Sequence, residues 1–151
     1  VKVLLQRVSR ACVRAGGEKL SEIDHGLLLL VGFGRNDTQD DLEWMLRKIT
    51  GLRIFPDEQG SMNRSVSDLD GALLIVSQFT LHADSRKGRR PSFIRAALPD
   101  NARMLYDIFE ELARGTGLQV GSGEFGAMME VELVNSGPVT IMLDSPSESM
   151  S

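Results

Sequence analysis

The 151-residue chain has one cysteine, two histidines, one tryptophan and one tyrosine. A lone Cys12 excludes an internal disulfide. Together with His25 and His82 it falls short of a Cys/His zinc set, so neither metal nor cofactor is expected. Long apolar runs are also missing. The longest, "GLLLLVGFG" at residues 26–34, is strand-sized, against the roughly 18 residues of a membrane span. The start, "VKVLLQRVSR", alternates and lacks the apolar stretch and cleavage site of a secretory signal, so the expected location is cytoplasmic, with no membrane partner. Positive charge is not in excess. Lys and Arg number 17 against 21 Asp and Glu, a net charge of −4, which argues against a domain that coats long nucleic acid; no DNA partner is expected. There is no G-x-S-x-G, no Walker loop, no H-E-x-x-H and no C-x-x-C. An enzyme built this way relies on backbone donors, on hydroxyls such as Ser77 or Thr80, or on its substrate.

What the sequence does contain is organised. Residues 1–15 alternate, with Val3, Leu5, Val8, Ala11 and Val13 apolar and one phase slip near Gln6, which predicts a strand with a bulge. "AGGEK" is a turn, and "KLSEIDHGLLLLVGFG" supplies a further strand pair. In "RNDTQDD", Asp37 and Asp40 offer a helix N-cap with an acid three residues on. The helix that follows carries Leu42, Met45, Leu46, Ile49 and Leu52 at three/four spacing. "LRIFPDEQG" predicts a strand and turn. "MNRSVSDLDGALLIVSQFTLHAD" reads as a hairpin turning at Asp70-Gly71 into a buried strand "ALLIVSQFTL". A second helix starts at Pro99 and stops at Gly115, with Ala102, Leu105, Ile108, Phe109 and Leu112 on its apolar face. The remainder reads as strands to Asp144. The expectation is a single α+β domain over residues 1–145: a curved, barrel-like, mostly antiparallel sheet of about seven strands with two helices outside it, followed by a polar tail at 146–151.

Three stretches could carry chemistry. On a strand, Gln78 and Thr80 of "SQFT" share one face and Ser77 and Phe79 the other; His82 would lie on the Thr80 face, about 7 Å along. Thr80 with His82 is one nucleophile-base pairing, and a strand simply emerging into solvent is the plainer reading. The loop "SRKGRRPSFIR" gathers Arg86, Lys87, Arg89, Arg90 and Arg95; such a run is a solvated loop or a phosphate contact. Gly137-Pro138 interrupts an otherwise regular closing strand. Proline has no N–H for the ladder, so the dipeptide marks an edge bulge, a turn, or backbone carbonyls released toward a ligand.

"SQFTLHAD" with "RKGRRPSF", and "NSGPVT" near the end, resemble the two signature motifs of the D-aminoacyl-tRNA deacylase (D-tyrosyl-tRNA deacylase) family. "QRVSRACV", "GLLLLVGF", "LRIFPDEQGSMNRSV" and "LVNSGPVTIMLDS" match it in order and spacing, so the resemblance spans nearly the whole chain. It implies a homodimeric hydrolase that cleaves the ester between a D-amino acid, or glycine, and the terminal adenosine of tRNA. By that resemblance Ser77, Gln78, Phe79 and Thr80 line the catalytic pocket. Gly137 and Pro138 form a cis peptide that enters the other subunit's pocket and rejects L side chains by a clash. Either the Thr80 hydroxyl or the ribose 2′-hydroxyl assists, and Arg86, Lys87, Arg89 and Arg90 are expected tRNA contacts. The chain departs from the family pattern at Val1, Glu124, Met128 and Ser136. The alternatives are a sister deacylase with a trans Gly-Pro, a non-catalytic RNA- or protein-binding module on this fold, and a small-ester hydrolase using Thr80 and His82.

Overall fold

In the structure, a computed structural model that describes residues 1–146, the alternating N-terminal segment is strand β1 (Lys2–Ala15). The phase slip falls where the sequence predicts it. Val3 and Leu5 enter one apolar core and Val8, Ala11 and Val13 another. The register against the last strand, Met129–Asp144, shifts between Gln6 and Val8 and again between Val8 and Arg10. A bulge turns a strand and re-aims its side chains, which lets β1 serve two cores.

β1 organises the sheet. It pairs antiparallel with β2 (Glu18–Ile23), β3 (Gly26–Gly32) and that long last strand, and β2 and β3 take different parts of its length. Helix α1 (Gln39–Gly51) and a small hairpin of β4 (Phe55–Pro56) and β5 (Met62–Arg64) come next. β6 (Ala72–Ser77) then lies parallel to β3. Helix α2 (Pro99–Arg114) leads to β7 (Gln119–Ser122), which is parallel to β6, and the chain closes with β8 (Met129–Asp144). The strand order is β2-β1-β3-β6-β7, with β8 on β1, a nearly closed, barrel-like sheet as expected.

Both faces of its centre are buried. Leu27, Leu29, Val31, Leu73 and Ile75 pack with Leu42, Met45 and Ile49 of α1 and with Leu105, Tyr106 and Phe109 of α2. Leu28, Leu74 and Val76 face Val8, Val13 and Ile23 on the other side. A strand covered on both faces reads as an unbroken apolar run, as "GLLLLV" and "ALLIV" do. Truncating any of these leucines to alanine costs about 2–5 kcal/mol.

Three expectations need correction. Asp70-Gly71 does not turn a hairpin: β5 pairs with β4, and β6 enters beside β3 in parallel, a pairing that a doubly buried run allows and alternation cannot reveal. The α1 N-cap is Thr38, whose N–H and hydroxyl both donate to the Asp41 carboxylate, at 2.8 and 3.2 Å. Asp37 is buried instead, accepting the Gly34 N–H at 2.6 Å and the Val1 amine at 2.7 Å. The strand "ALLIVSQFTL" ends early, at Ser77. Pro99 and Gly115 bound α2 as expected. The tail assigned to 146–151 lies, apart from Pro146, outside the described residues.

Candidate active site

β6 stops because of β3. The Gln78 N–H still reaches the Val31 carbonyl at 2.8 Å, and the chain then folds into a 3-10 turn over Phe79–His82. Gly32 makes room for it: a Cβ there would sit 2.7 Å from the Gln78 carbonyl oxygen and 3.2 Å from Leu81 Cβ. Side chains 77 to 80 therefore do not alternate as on a strand, and the Thr80–His82 strand-face pairing is withdrawn. His82 is buried, its Nε2 donating to the Gly32 carbonyl at 3.0 Å, and its Nδ1 has no partner among the described residues. The exposed Thr80 hydroxyl accepts from the Gln78 side-chain amide. Among the described residues no base is hydrogen-bonded to it.

The turn has a second property. In 3-10 geometry the first bonded donor is Leu81, whose N–H reaches the Gln78 carbonyl at 3.3 Å, so the N–H groups of Phe79 and Thr80 have no partner within the turn. Beside them opens a cavity of about 640 Å³. Ser77, Gln78 and Phe79 form part of its wall; Val31, Phe33, Ala97, Phe125 and Met129 make it mostly apolar, and Arg35 is its charged residue. Thr80, Gly137 and Pro138 are not among its lining residues, so within one chain the two motifs do not share this cavity.

Gly137-Pro138 is nevertheless out of the ladder. Gln6 faces Thr140 and Val8 faces Asn135, which leaves residues 136–139 opposite Arg7 alone. The Gly137-Pro138 peptide is cis, and Gly137 has φ of +128°, a backbone region that favours glycine. Three side chains hold the bulge. Arg7 donates from Nε to the Ser136 carbonyl at 3.0 Å and from Nη1 to the Ile54 carbonyl at 2.6 Å. The Asn135 side chain accepts the Val139 N–H at 3.1 Å and donates to Thr140 Oγ1 at 2.9 Å, and Gln6 donates to the same oxygen at 3.2 Å.

The basic loop divides. Arg86 closes on Asp84 through Nε and Nη2, at 2.9 and 2.7 Å. These bonds hold the Asp84 carboxyl down to about 2 and raise the Arg86 guanidinium. Lys87, Arg89 and Arg90 are exposed and have no acidic partner among the described residues. Sequence reasoning missed Arg7, Arg35 and Phe93. Phe93 was in plain view inside "RRPSF", and Arg7 inside "QRVSR", but only the fold brings them to the cavity and the bulge. Of the departures from the family pattern, Met128 lines the cavity and Glu124 does not, while Ser136 contributes only its carbonyl to the Arg7 contact. No group of three or more His, Cys, Asp or Glu side chains converges among the described residues, and none of their helices is long and apolar enough to cross a membrane.

A nearly closed, barrel-like sheet with a largely apolar cavity beside the end of a central strand, bordered by the Ser77–Phe79 segment and Arg35, defines the class of fold and site. The family follows from comparison. The family model described as D-Tyr-tRNA(Tyr) deacylase matches residues 4–144, and the chain belongs to that family. A D-aminoacyl-tRNA deacylase of Chloroherpeton thalassium is 53% identical over 149 residues, covering 98% of each chain. One of Thermomicrobium roseum is 57% identical over 145 residues, covering 96% of this chain and 94% of the relative. Among solved structures, one described as c-Myc DNA Unwinding Element Binding Protein superimposes with a TM-score of 0.91 at 45% identity, covering 97% of this chain and 99% of that one. A probable eukaryotic D-amino acid tRNA deacylase, 20% identical, shares the fold with a TM-score of 0.83 over 94% of this chain and 97% of its own.

Proposed function

We propose that the protein hydrolyses the ester joining a D-amino acid, or glycine, to the terminal adenosine of tRNA, and that it works as a homodimer. The observation that carries this reading is the cavity wall: Ser77, Gln78 and Phe79, the motif residues of the family, line a largely apolar cavity sized for a small ligand. The terminal nucleoside fills that cavity. The N–H of Phe79, at the cavity wall, holds the ester's carbonyl oxygen as negative charge develops on it, a role in which one donor is worth about 2.7–4 kcal/mol. A water oxygen bonds to the carbonyl carbon, the carbon–oxygen bond to the ribose breaks, and the departing ribose oxygen takes up a proton. Thr80 does not act as the nucleophile, because its hydroxyl is engaged by Gln78 and His82 bonds elsewhere; the ribose 2′-hydroxyl assists instead.

Selectivity comes from the bulge. The Gly137-Pro138 peptide of one subunit enters the cavity of the other, and its carbonyls stand where an L side chain would go. β8 supports a cross-subunit arrangement: among the described residues it pairs with β1 alone, and none of its 16 residues is fully buried. Parallel assays on D-Tyr-tRNA and L-Tyr-tRNA test the reading. Release of D-Tyr with L-Tyr-tRNA left intact is expected; equal rates on both, or none on either, would overturn it.

A further inference from the structure

We propose that the rim of the cavity holds a second nucleotide subsite, formed by Phe93 with the basic loop that carries it, which takes the base and phosphate immediately before the terminal adenosine. The inference rests on the function proposed above and adds to it the part of the substrate outside the cavity. Phe93 sits at the cavity mouth with its ring edge-to-face against Phe79, centroids 5.0 Å apart and planes at 68°. Within one chain both rings are open to solvent, 54% for Phe79 and 37% for Phe93. A flat base is what a pair of open aromatic rings beside a cavity accepts: single-stranded RNA ends are read by stacking on aromatic side chains.

The loop is built to hold Phe93 there. Asp84 and Ser92 exchange both backbone hydrogen bonds at 2.8 Å, and the Arg86–Asp84 pair clamps the loop's first turn. At its far end the Arg35 N–H reaches the Arg95 carbonyl at 3.2 Å, the Ala97 N–H reaches the Phe33 carbonyl at 2.9 Å, and Arg35 Nε donates to the Ile94 carbonyl. Arg86 is thus partly engaged in the loop's own structure through its pair with Asp84. Lys87, Arg89 and Arg90 lie between the anchored ends, exposed and without acidic partners among the described residues. In a chain of net charge −4, unneutralised cations concentrated on the loop that presents an open aromatic ring match one ligand chemistry, a base followed by its phosphate.

The test compares two substrates that differ only beyond the terminal nucleoside: D-Tyr-tRNA and the D-tyrosyl ester of adenosine. Phe93→Ala is expected to lower kcat/KM on the tRNA about tenfold more than on the adenosine ester, in line with the stacking of one base, and Phe93→Trp to restore it. Lys87→Gln with Arg89→Gln and Arg90→Gln is expected to flatten the salt dependence of kcat/KM on the tRNA by about one phosphate contact while leaving that on the ester flat. Equal losses on both substrates with Phe93→Ala, or an unchanged salt slope, would overturn the subsite. A wild-type protein inactive on both substrates would instead overturn the function on which it rests, so the two failures are distinguishable.

Discussion

The Arg7 guanidinium of β1 donates to the Ser136 carbonyl at 3.0 Å, directly before Gly137, and its other arm reaches the Ile54 carbonyl at 2.6 Å. One side chain thereby ties the β8 bulge to the segment that precedes the β4–β5 hairpin. The position opposite four bulged residues needs a long, forked, permanently charged donor, and arginine alone offers this. Arg7→Lys keeps the charge but loses the fork. It is expected to destabilise the fold by about 2 kcal/mol in denaturant unfolding and to raise L-Tyr-tRNA hydrolysis relative to D-Tyr-tRNA. Unchanged discrimination would separate Arg7 from selectivity.

Gly137 depends on the same contact. A Cβ at its φ of +128° would stand 2.9 Å from Arg7 Nη2 and 3.0 Å from Val139 Cγ2. Gly137→Ala is expected to cost about 1–3 kcal/mol in strain and to displace the guanidinium. Selectivity should fall by more than the D-substrate rate does; a variant as discriminating as the parent would exclude the bulge as the filter.

The parts of this site differ in how legible they were in the sequence. The β1 phase slip, the doubly buried runs of β3 and β6 and the α2 boundaries each follow from one local rule, and each stands where the residues place it. The "SQFT" segment does not. Its apolar lead-in reads as continued strand, and the turn after Ser77 packs against Gly32, 45 positions earlier, whose missing Cβ gives it room. Parallel pairing of β6 with β3 is equally nonlocal. Arg7 and Phe93 carry no local mark of function, and their roles exist only once the barrel brings β1 to β8 and the basic loop to the cavity.

Thr80 offers a direct test of main-chain catalysis. With its hydroxyl bonded to Gln78 and His82 turned to Gly32, no base activates it. Thr80→Ala is expected to retain kcat on D-Tyr-tRNA within about tenfold, whereas loss of a working nucleophile-base pair would take 10²–10⁴-fold or more. A dead but folded Thr80→Ala would return the hydroxyl to the mechanism.

The loop clamp has a pH signature. Asp84 is held at about 2, below its ordinary 3.8, by hydrogen bonds from Arg86. Because the folded value is the lower one, the stabilisation is complete above the ordinary value and is lost progressively as pH falls from about 3.8 through about 2. NMR titration of the Asp84 carboxyl is expected to show that midpoint, and Arg86→Gln to move it back toward 3.8. A midpoint unmoved by Arg86→Gln would mean that the clamp does not hold the loop.

The cross-subunit filter can be separated from a filter acting within its own chain by mixing subunits. Phe79→Glu, at an exposed wall position of the cavity, is expected to abolish hydrolysis by repelling the phosphates of the substrate. Gly137→Ala is expected to abolish discrimination between D and L substrates. If the bulge serves the other subunit's cavity, a mixed dimer has one site with both defects and one with neither, so co-refolding recovers about a quarter of the wild-type D-selective activity. If the bulge serves its own cavity, every site in the mixture keeps one defect. No D-selective activity beyond that of the separate variants would then appear. Recovery therefore requires both a dimer and an exchange of motifs across it. A protein that runs as a monomer in light scattering while remaining fully selective would rule out both at once.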